Sequence, residues 1–240
     1  MLNSTIAGIT LRATLGRRRA LLFAIPPVIL IGITVILRVG HPPNDQWAYV
    51  VLGDFGFSVL LPLTALIIGT SVLGAEIDDG SIVHLLATPV SRTSVILTKF
   101  AVASVLTMAF AAIPELIAGL IAPTGSKLAI ALLVGAIAGS VVYSAIFVMA
   151  SALTSRAIAI GLLYVLIWEG LLSNIIGGVR ILSAGHYALG IANGIDKNPN
   201  LRAGLSLDTA IVMAVVVTVA ALWLGIRRLS SFGVSGEAAT

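Results

Sequence analysis

The sequence has no cysteine. Thiol catalysis is therefore excluded, and the redox compartment leaves no trace in the chain. Charge is nearly as scarce. Asp, Glu, Lys and Arg make up 10% of the 240 residues, against about 25% in a soluble domain. Hydrophobic residues make up 58%, and the mean hydropathy is +1.10. A chain with so little polar surface cannot cover itself in water, so it reads as an integral membrane protein. Its length accommodates six spans of about 20 residues with short loops. Histidine is sparse too. His41, His84 and His186 are dispersed, no two have metal-ligand spacing, and there is no H-E-x-x-H. No G-x-x-x-x-G-K-[ST] occurs. Gly125-Ser126-Lys127 ends in Gly-Ser-Lys, but Gly119 is one residue too far away and no strand precedes it. Ser140 follows Gly139, yet no histidine falls within a span to activate it, so an intramembrane serine protease is discounted. The net charge is +4 and the pI about 9.9. The basic residues sit at the ends of apolar runs and form no aromatic-interleaved patch, which argues against nucleic acid.

What is present is a succession of apolar runs. They predict spans at about 20–37, 55–75, 100–122, 128–153, 157–176 and 209–226, within a transmembrane domain of residues 20–228. The first run follows Arg17-Arg18-Arg19, as a signal peptide would. It is long for one and leads into Gly40-His41-Pro42-Pro43 rather than a small-residue cleavage site, so it reads as a retained span. Before it, residues 1–19 place Ile6, Ile9 and Ala13 on one helical face with Arg12 nearby. This predicts a helix lying in the interface, its basic residues against anionic headgroups of the membrane lipids. With the N-terminus inside, Arg12, Arg17, Arg18, Arg19, Arg92, Lys99, Arg156, Arg227 and Arg228 are cytoplasmic, whereas Arg38, Lys127, Arg180, Lys197 and Arg202 are external. That asymmetry predicts an N-in, C-in chain. Residues 229–240 read as a disordered cytoplasmic tail. The connection 177–208 carries Val179, Ile181, Leu182, Tyr187, Leu189 and Ile191, enough for one or two short external helices that dip back and cap a pathway or an interface.

Two carboxylates fall inside spans. An ionised side chain at the bilayer centre costs about 2.5–3.5 kcal/mol on insertion scales, so Glu115 and Glu169 are candidate pathway or gate residues, with Tyr187 beside them in the external connection. Glu115 lies about 24 Å along its helix from Lys99, and Glu169 about 20 Å from Arg156, both toward the external side. A carboxylate hydrogen-bonded to a neighbouring helix explains them equally well. Gly135 and Gly139 form a G-x-x-x-G, a pattern that lets helix backbones approach closely, within or between chains.

The most informative stretch is Glu76 to Lys99, between the second and third spans. Glu76, Asp78 and Asp79 crowd its start, and Gly80 and Ser81 break the preceding run. Ile82, Leu85 and Leu86 recur at helical spacing. Pro89 then stops the short helix, since proline removes a donor and pushes Thr88 out of the helical region. Arg92 and Lys99 open the next run. A short amphipathic helix held between two spans is a shape that docks in a partner's groove, although a loop lying on headgroups has the same composition.

In this stretch the chain resembles the membrane subunit of an ABC transporter of the type-2 export class. The likeness rests on Glu76-Ile-Asp-Asp-Gly80-Ser81, Leu85-Leu86-Ala-Thr-Pro89-Val90-Ser91-Arg92 and Lys99, with Ser81 where threonine is commoner. The predicted topology fits the same family. The resemblance implies an all-α permease with a cytoplasmic coupling helix, its contact residues being Glu76, Asp78, Asp79, Gly80, Ser81, Leu85, Leu86, Pro89 and Arg92. It implies two copies of a separate ATPase subunit, which would bind the ATP and magnesium, so no cofactor is expected on this chain. It also implies a second permease copy, identical or a sister, in a bacterial cytoplasmic membrane. Few polar groups line the spans, which favours a hydrophobic or amphipathic substrate such as a drug, an antibiotic or a lipid. Two other classes stay open on the residues alone: an ATP-independent transporter or channel using Glu115 or Glu169, and a non-transporting binding or immunity-type membrane protein.

Overall fold

A computed structural model describes residues 4–40, 44–78, 91–201 and 203–231, without the side chains of 17–20, 75–78, 174 and 231. Every regular element among these residues is a helix. The helices are α1 (Ser4–Thr14), α2 (Arg17–Val39), α3 (46–78), α4 (Arg92–Ile121), α5 (Ser126–Leu153) and α6 (157–175). A 3-10 turn over Gly177–Leu182 leads into α7 (Ala184–Asp196), and α8 (Leu207–Ser231) follows. Among the described residues, α2, α3, α4, α5 and α8 are long and apolar enough to cross a membrane. The apolar stretch of α6, Ala157–Leu172, is shorter, and its helical backbone continues to Ile175.

The bundle is built around α5, which packs against α3, α4, α7 and α8. In α3 and α5, 61% of the apolar window is buried, against 17% in α8, so α8 lies on the outside. One apolar cluster joins α3, α5 and α7 through Phe57, Leu61, Tyr143, Phe147, Tyr187 and Ala188. A second, at the α1 end, joins Ile6, Phe23, Ile68, Leu73, Ile96 and Leu229. The opposite end of the bundle holds the start of α3, the end of α4 and all of α7; it is called the α7 end below.

Three helices contain wide π turns, at 49–60 in α3, 108–112 in α4 and 164–172 in α6. The first two have a physical cause in the sequence. Each ends two residues before a proline, Pro62 and Pro114. A proline ring clashes with the carbonyl four residues back, and a wider turn moves that carbonyl away.

The structure moves several expected boundaries. The buried face of α1 is Ile6, Thr10 and Thr14, while Ile9 is 62% exposed and Ala13 is exposed as well. The stripe repeats every four residues, and two threonines take positions where apolar residues were expected, which leaves Ile9 facing outward. The second long helix begins at Gln46 rather than near Phe55, and the third at Arg92 rather than near Phe100. Ser94, Thr98 and Lys99 read as loop by polarity, yet they are buried in helix packing. Leu229, expected in a disordered tail, is 1% exposed in α8. Residues 79–90, which carry most of the expected coupling segment, lie outside the described residues, as do 232–240.

Candidate functional site

At the α1 end, three helices meet on one amine. Lys99 is fully buried on α4. Its Nζ donates to the Val72 carbonyl of α3 at 2.8 Å and to Thr10 Oγ1 of α1 at 3.4 Å. A buried ammonium needs acceptors from whatever packs on it, and here two of the helices packed on α4, α1 and α3, supply them. The Thr10 hydroxyl can reach because α1 turns its threonine stripe inward. The sequence marked Lys99 only as a basic residue opening a span; nothing in its spacing announced burial. Arg92 is the first residue of α4, capped by Ser91, whose Oγ accepts the Ser94 N–H at 3.2 Å. Arg92 Nη1 is buried without a hydrogen-bond partner among the described residues. Glu76 and Asp78 fall in the last turn of α3, and Asp79, Gly80, Ser81, Leu85, Leu86 and Pro89 lie in the undescribed segment. The Lys99 junction thus fixes α3 and α4 within two or three turns of the segment that joins them.

Glu169 sits on the π turn of α6, fully buried. Its carboxylate accepts four hydrogen bonds: Tyr164 Oη at 2.7 Å, Ala184 N at 2.9 Å, Gly185 N at 3.4 Å, and the Ser183 hydroxyl. Ala184 and Gly185 open α7, so a side chain of α6 caps the α7 N-terminus, where free N–H groups and the helix dipole favour an anion. Ser183 completes the cap by accepting the His186 N–H. Further bonds fasten the same region. Ser173 Oγ donates to the Glu169 carbonyl at 2.7 Å, and Trp168 Nε1 to the Leu182 carbonyl at 3.2 Å. Tyr187 is buried and donates to the Ile181 carbonyl at 2.7 Å. The last part of α6, the 3-10 turn and the start of α7 therefore form one hydrogen-bonded body. The sequence placed Glu169 and Tyr187 in the same neighbourhood but carried no sign of the cap, because it joins residues 14 to 16 positions apart across an irregular turn.

Beside this body is a polar chamber of about 560 Å³, lined by Asp54, Phe55, Ser58, Gly170, Arg180 and His186. The His186 imidazole faces the Ser173 carbonyl from Nε2 at 3.3 Å, so that nitrogen carries the proton. Burial draws its pKa below the ordinary 6.5; the Ser173 bond opposes this and the Arg180 charge adds to it. Two larger grooves are apolar. One of about 960 Å³ runs between α2, α3 and the start of α6, past Phe23, Pro26, Leu63, Ile67 and Ile158. Another of about 600 Å³ lies between α5, α6 and α8, past Phe147, Met149, Tyr164, Trp168 and Val217.

Glu115 is not part of the Glu169 cluster. It is buried on α4 against Gly56 of α3 and the Pro26-Pro27 turn of α2. Gly135 and Gly139 face inward within the chain. A Cβ at Gly135 would lie 2.6 Å from the Ala188 carbonyl oxygen, and one at Gly139 would lie 3.1 Å from Leu61 Cδ2 and 3.2 Å from Ala188 Cβ. The absent side chains let α7 and α3 approach α5 closely. Among the described residues no group of His, Asp and Glu is placed to hold a metal ion.

The family model for ABC-2 family transporter proteins matches residues 15–179, more than half of the chain. The chain belongs to the ABC-2 transporter family. It is a multi-pass membrane protein and a permease component of an ABC transporter. No curated protein matches the permease at a significant level. The matched region begins just before α2, takes in the whole segment between α3 and α4, and ends in the 3-10 turn before α7.

Proposed function

We propose that this permease is one of two membrane subunits of an ATP-driven exporter in a cytoplasmic membrane. In this reading α2, α3, α4, α5, α6 and α8 are six spans, and both termini are cytoplasmic. The helix α1 lies along the inner interface, and α7 is a helix returning into the membrane from the external side. Residues 78–92 are the coupling segment, held in a cleft of a separate ATPase subunit present in two copies. ATP binding brings the two ATPase subunits together and moves the coupling segments. The spans then rock as packed bodies, which requires an element with different contacts in the two states.

The observation that carries this reading is the Lys99 junction. A force applied to residues 79–90 reaches α3 and α4 at once, because one buried amine ties both helices and α1 together just above that segment. Push and pull therefore act on a stiff unit rather than on two loose helix ends. Two large apolar grooves against one polar chamber suit a hydrophobic or amphipathic substrate. The ATP-independent alternative leaned on Glu115 and Glu169. Glu169 has its oxygens engaged by Tyr164, Ser183, Ala184 and Gly185, which suits a cap better than a relay.

The test is mild-detergent purification of the tagged permease from its own membrane, with its companions identified. The expected result is a near-equimolar soluble chain bearing a Walker motif. That chain is lost on Leu86→Asp or on charge reversal at Asp78 and Asp79, with the permease still inserted. Partner binding and transport that survive these changes would overturn the assignment.

A further inference from the structure

Glu115 follows Pro114 on α4 and is 1% exposed. Its Oε2 is buried with no hydrogen-bond partner among the described residues. The crevice around it is walled by Pro26, Pro27 and Leu30 of α2, Leu60 and Thr64 of α3, and Phe110 of α4. None of these is a basic side chain. The one hydroxyl among them, on Thr64, donates to its own helix at Leu60 O, 2.8 Å away. On another side stands Gly56, where an added Cβ would overlap Oε1. The free space is about 10 Å³, at the lower limit for a single water and too little for a hydrated cation.

Among the described residues, no titratable side chain other than Glu115 lines this crevice. The charged side chains described on the helices packed against it include Arg38 of α2, Asp54 of α3 and Lys127 of α5. Arg38 and Lys127 are exposed, and Asp54 lines the separate polar chamber. Among the described residues, an ionised carboxylate here would have no cation and no spare donor facing it. Burying such a charge is costly, and a carboxylic acid avoids the cost by keeping its proton.

The geometry points to Glu115 as a proton-binding site, its side chain held as the neutral acid in the narrow crevice between α2, α3 and α4. The proton comes from water and returns to water when the crevice opens far enough to hydrate the carboxyl; no other group changes its bonds. The π turn of α3 includes Gly56, and that of α4 ends just before Pro114, so the widened turns of two facing helices meet at this side chain. Gly56 is the complementary half of the site, since only a residue without a side chain leaves room for the carboxyl.

Infrared spectroscopy tests this on the purified permease in lipid vesicles, with isotope-labelled glutamate to separate the four glutamates from the aspartates. The expected result at neutral pH is a labelled band in the protonated-carboxyl region that Glu115→Gln abolishes. Gly56→Ala, which forces the carboxyl from its place, should shift or remove the same band. A wild-type spectrum without a protonated glutamic acid, or one whose band Glu115→Gln leaves unchanged, would overturn the proposal. The wild-type and Gly56→Ala spectra decide it even if Glu115→Gln does not fold. The measurement needs no ATPase, so it stands or fails independently of the exporter reading.

Discussion

Replacing Glu169 by glutamine separates a cap from a pathway residue. Glutamine keeps one oxygen, which can still accept from Tyr164 and Ala184 at the place of Oε1. Its NH₂ then stands where Oε2 accepted from Ser183 and Gly185. The Ser183 hydroxyl can rotate and accept instead. The Gly185 N–H cannot, and it is left facing another donor. An orphaned buried donor costs about 1–3 kcal/mol. Loss of the negative charge at the α7 N-terminus adds up to about 2 kcal/mol in a buried setting. Allowing for overlap between the two, Glu169→Gln should destabilise the permease by about 2–4 kcal/mol. For a chain of this size that corresponds to a fall in Tm of roughly 4–16 °C. Glu169→Ala leaves every donor unmet and should cost more. Thermal unfolding followed by tryptophan fluorescence provides the assay, and Trp168 reports on the neighbouring turn. A Glu169→Gln protein with wild-type Tm but no transport would refute the capping argument and return Glu169 to the pathway.

Two further outcomes follow from the same geometry. Lys99→Met keeps the bulk of the side chain but removes a charged donor worth about 1.5–3 kcal/mol per bond; α1 should then open about 10–150-fold more often, read as faster amide hydrogen exchange over residues 4–14, and unchanged exchange there would exclude the junction as a fastening. His186 is held below its ordinary pKa, so the folded chain binds fewer protons than the unfolded one as pH falls through about 6.5. Stability is then full above that pH and declines below it; the decline should flatten in His186→Gln, and a wild-type Tm independent of pH from about 7 to 5 would contradict the assignment.

Much of the bundle was legible because lipid imposes a simple code. Long apolar runs with basic residues at their ends announce helices, and Leu128 to Leu153 was placed to within two residues of the observed start. What polarity hid were the helix ends. Gly53 and Asp54 precede the expected start of the second span, yet they lie inside α3, where Asp54 lines the chamber and Gly56 makes room for Glu115. Ser94, Thr98 and Lys99 look like loop, yet they are packed helix. In both places a polar or small residue serves tertiary contact, which a one-dimensional hydropathy pattern cannot register. The α1 face was misjudged for the same reason, since threonine was counted as polar while the structure uses Thr10 and Thr14 as packing residues with a hydroxyl to offer. The π turns before Pro62 and Pro114 could have been suspected from the prolines; the one through Glu169 precedes no proline and left no such sign.

The Lys99 fastening also sets an order of assembly. Its two side-chain partners, Thr10 and Lys99, are separated by 89 positions. At synthesis rates of roughly 5–20 residues per second, α1 must wait roughly 4–18 s before the lysine that holds it has been made. During that interval it is a surface peptide with Ile9 and Arg12 outward and a stripe of only one isoleucine and two threonines on its other face. The arrival of α4 therefore acts as a checkpoint in biogenesis: the first helix is fastened only once the fourth has been made.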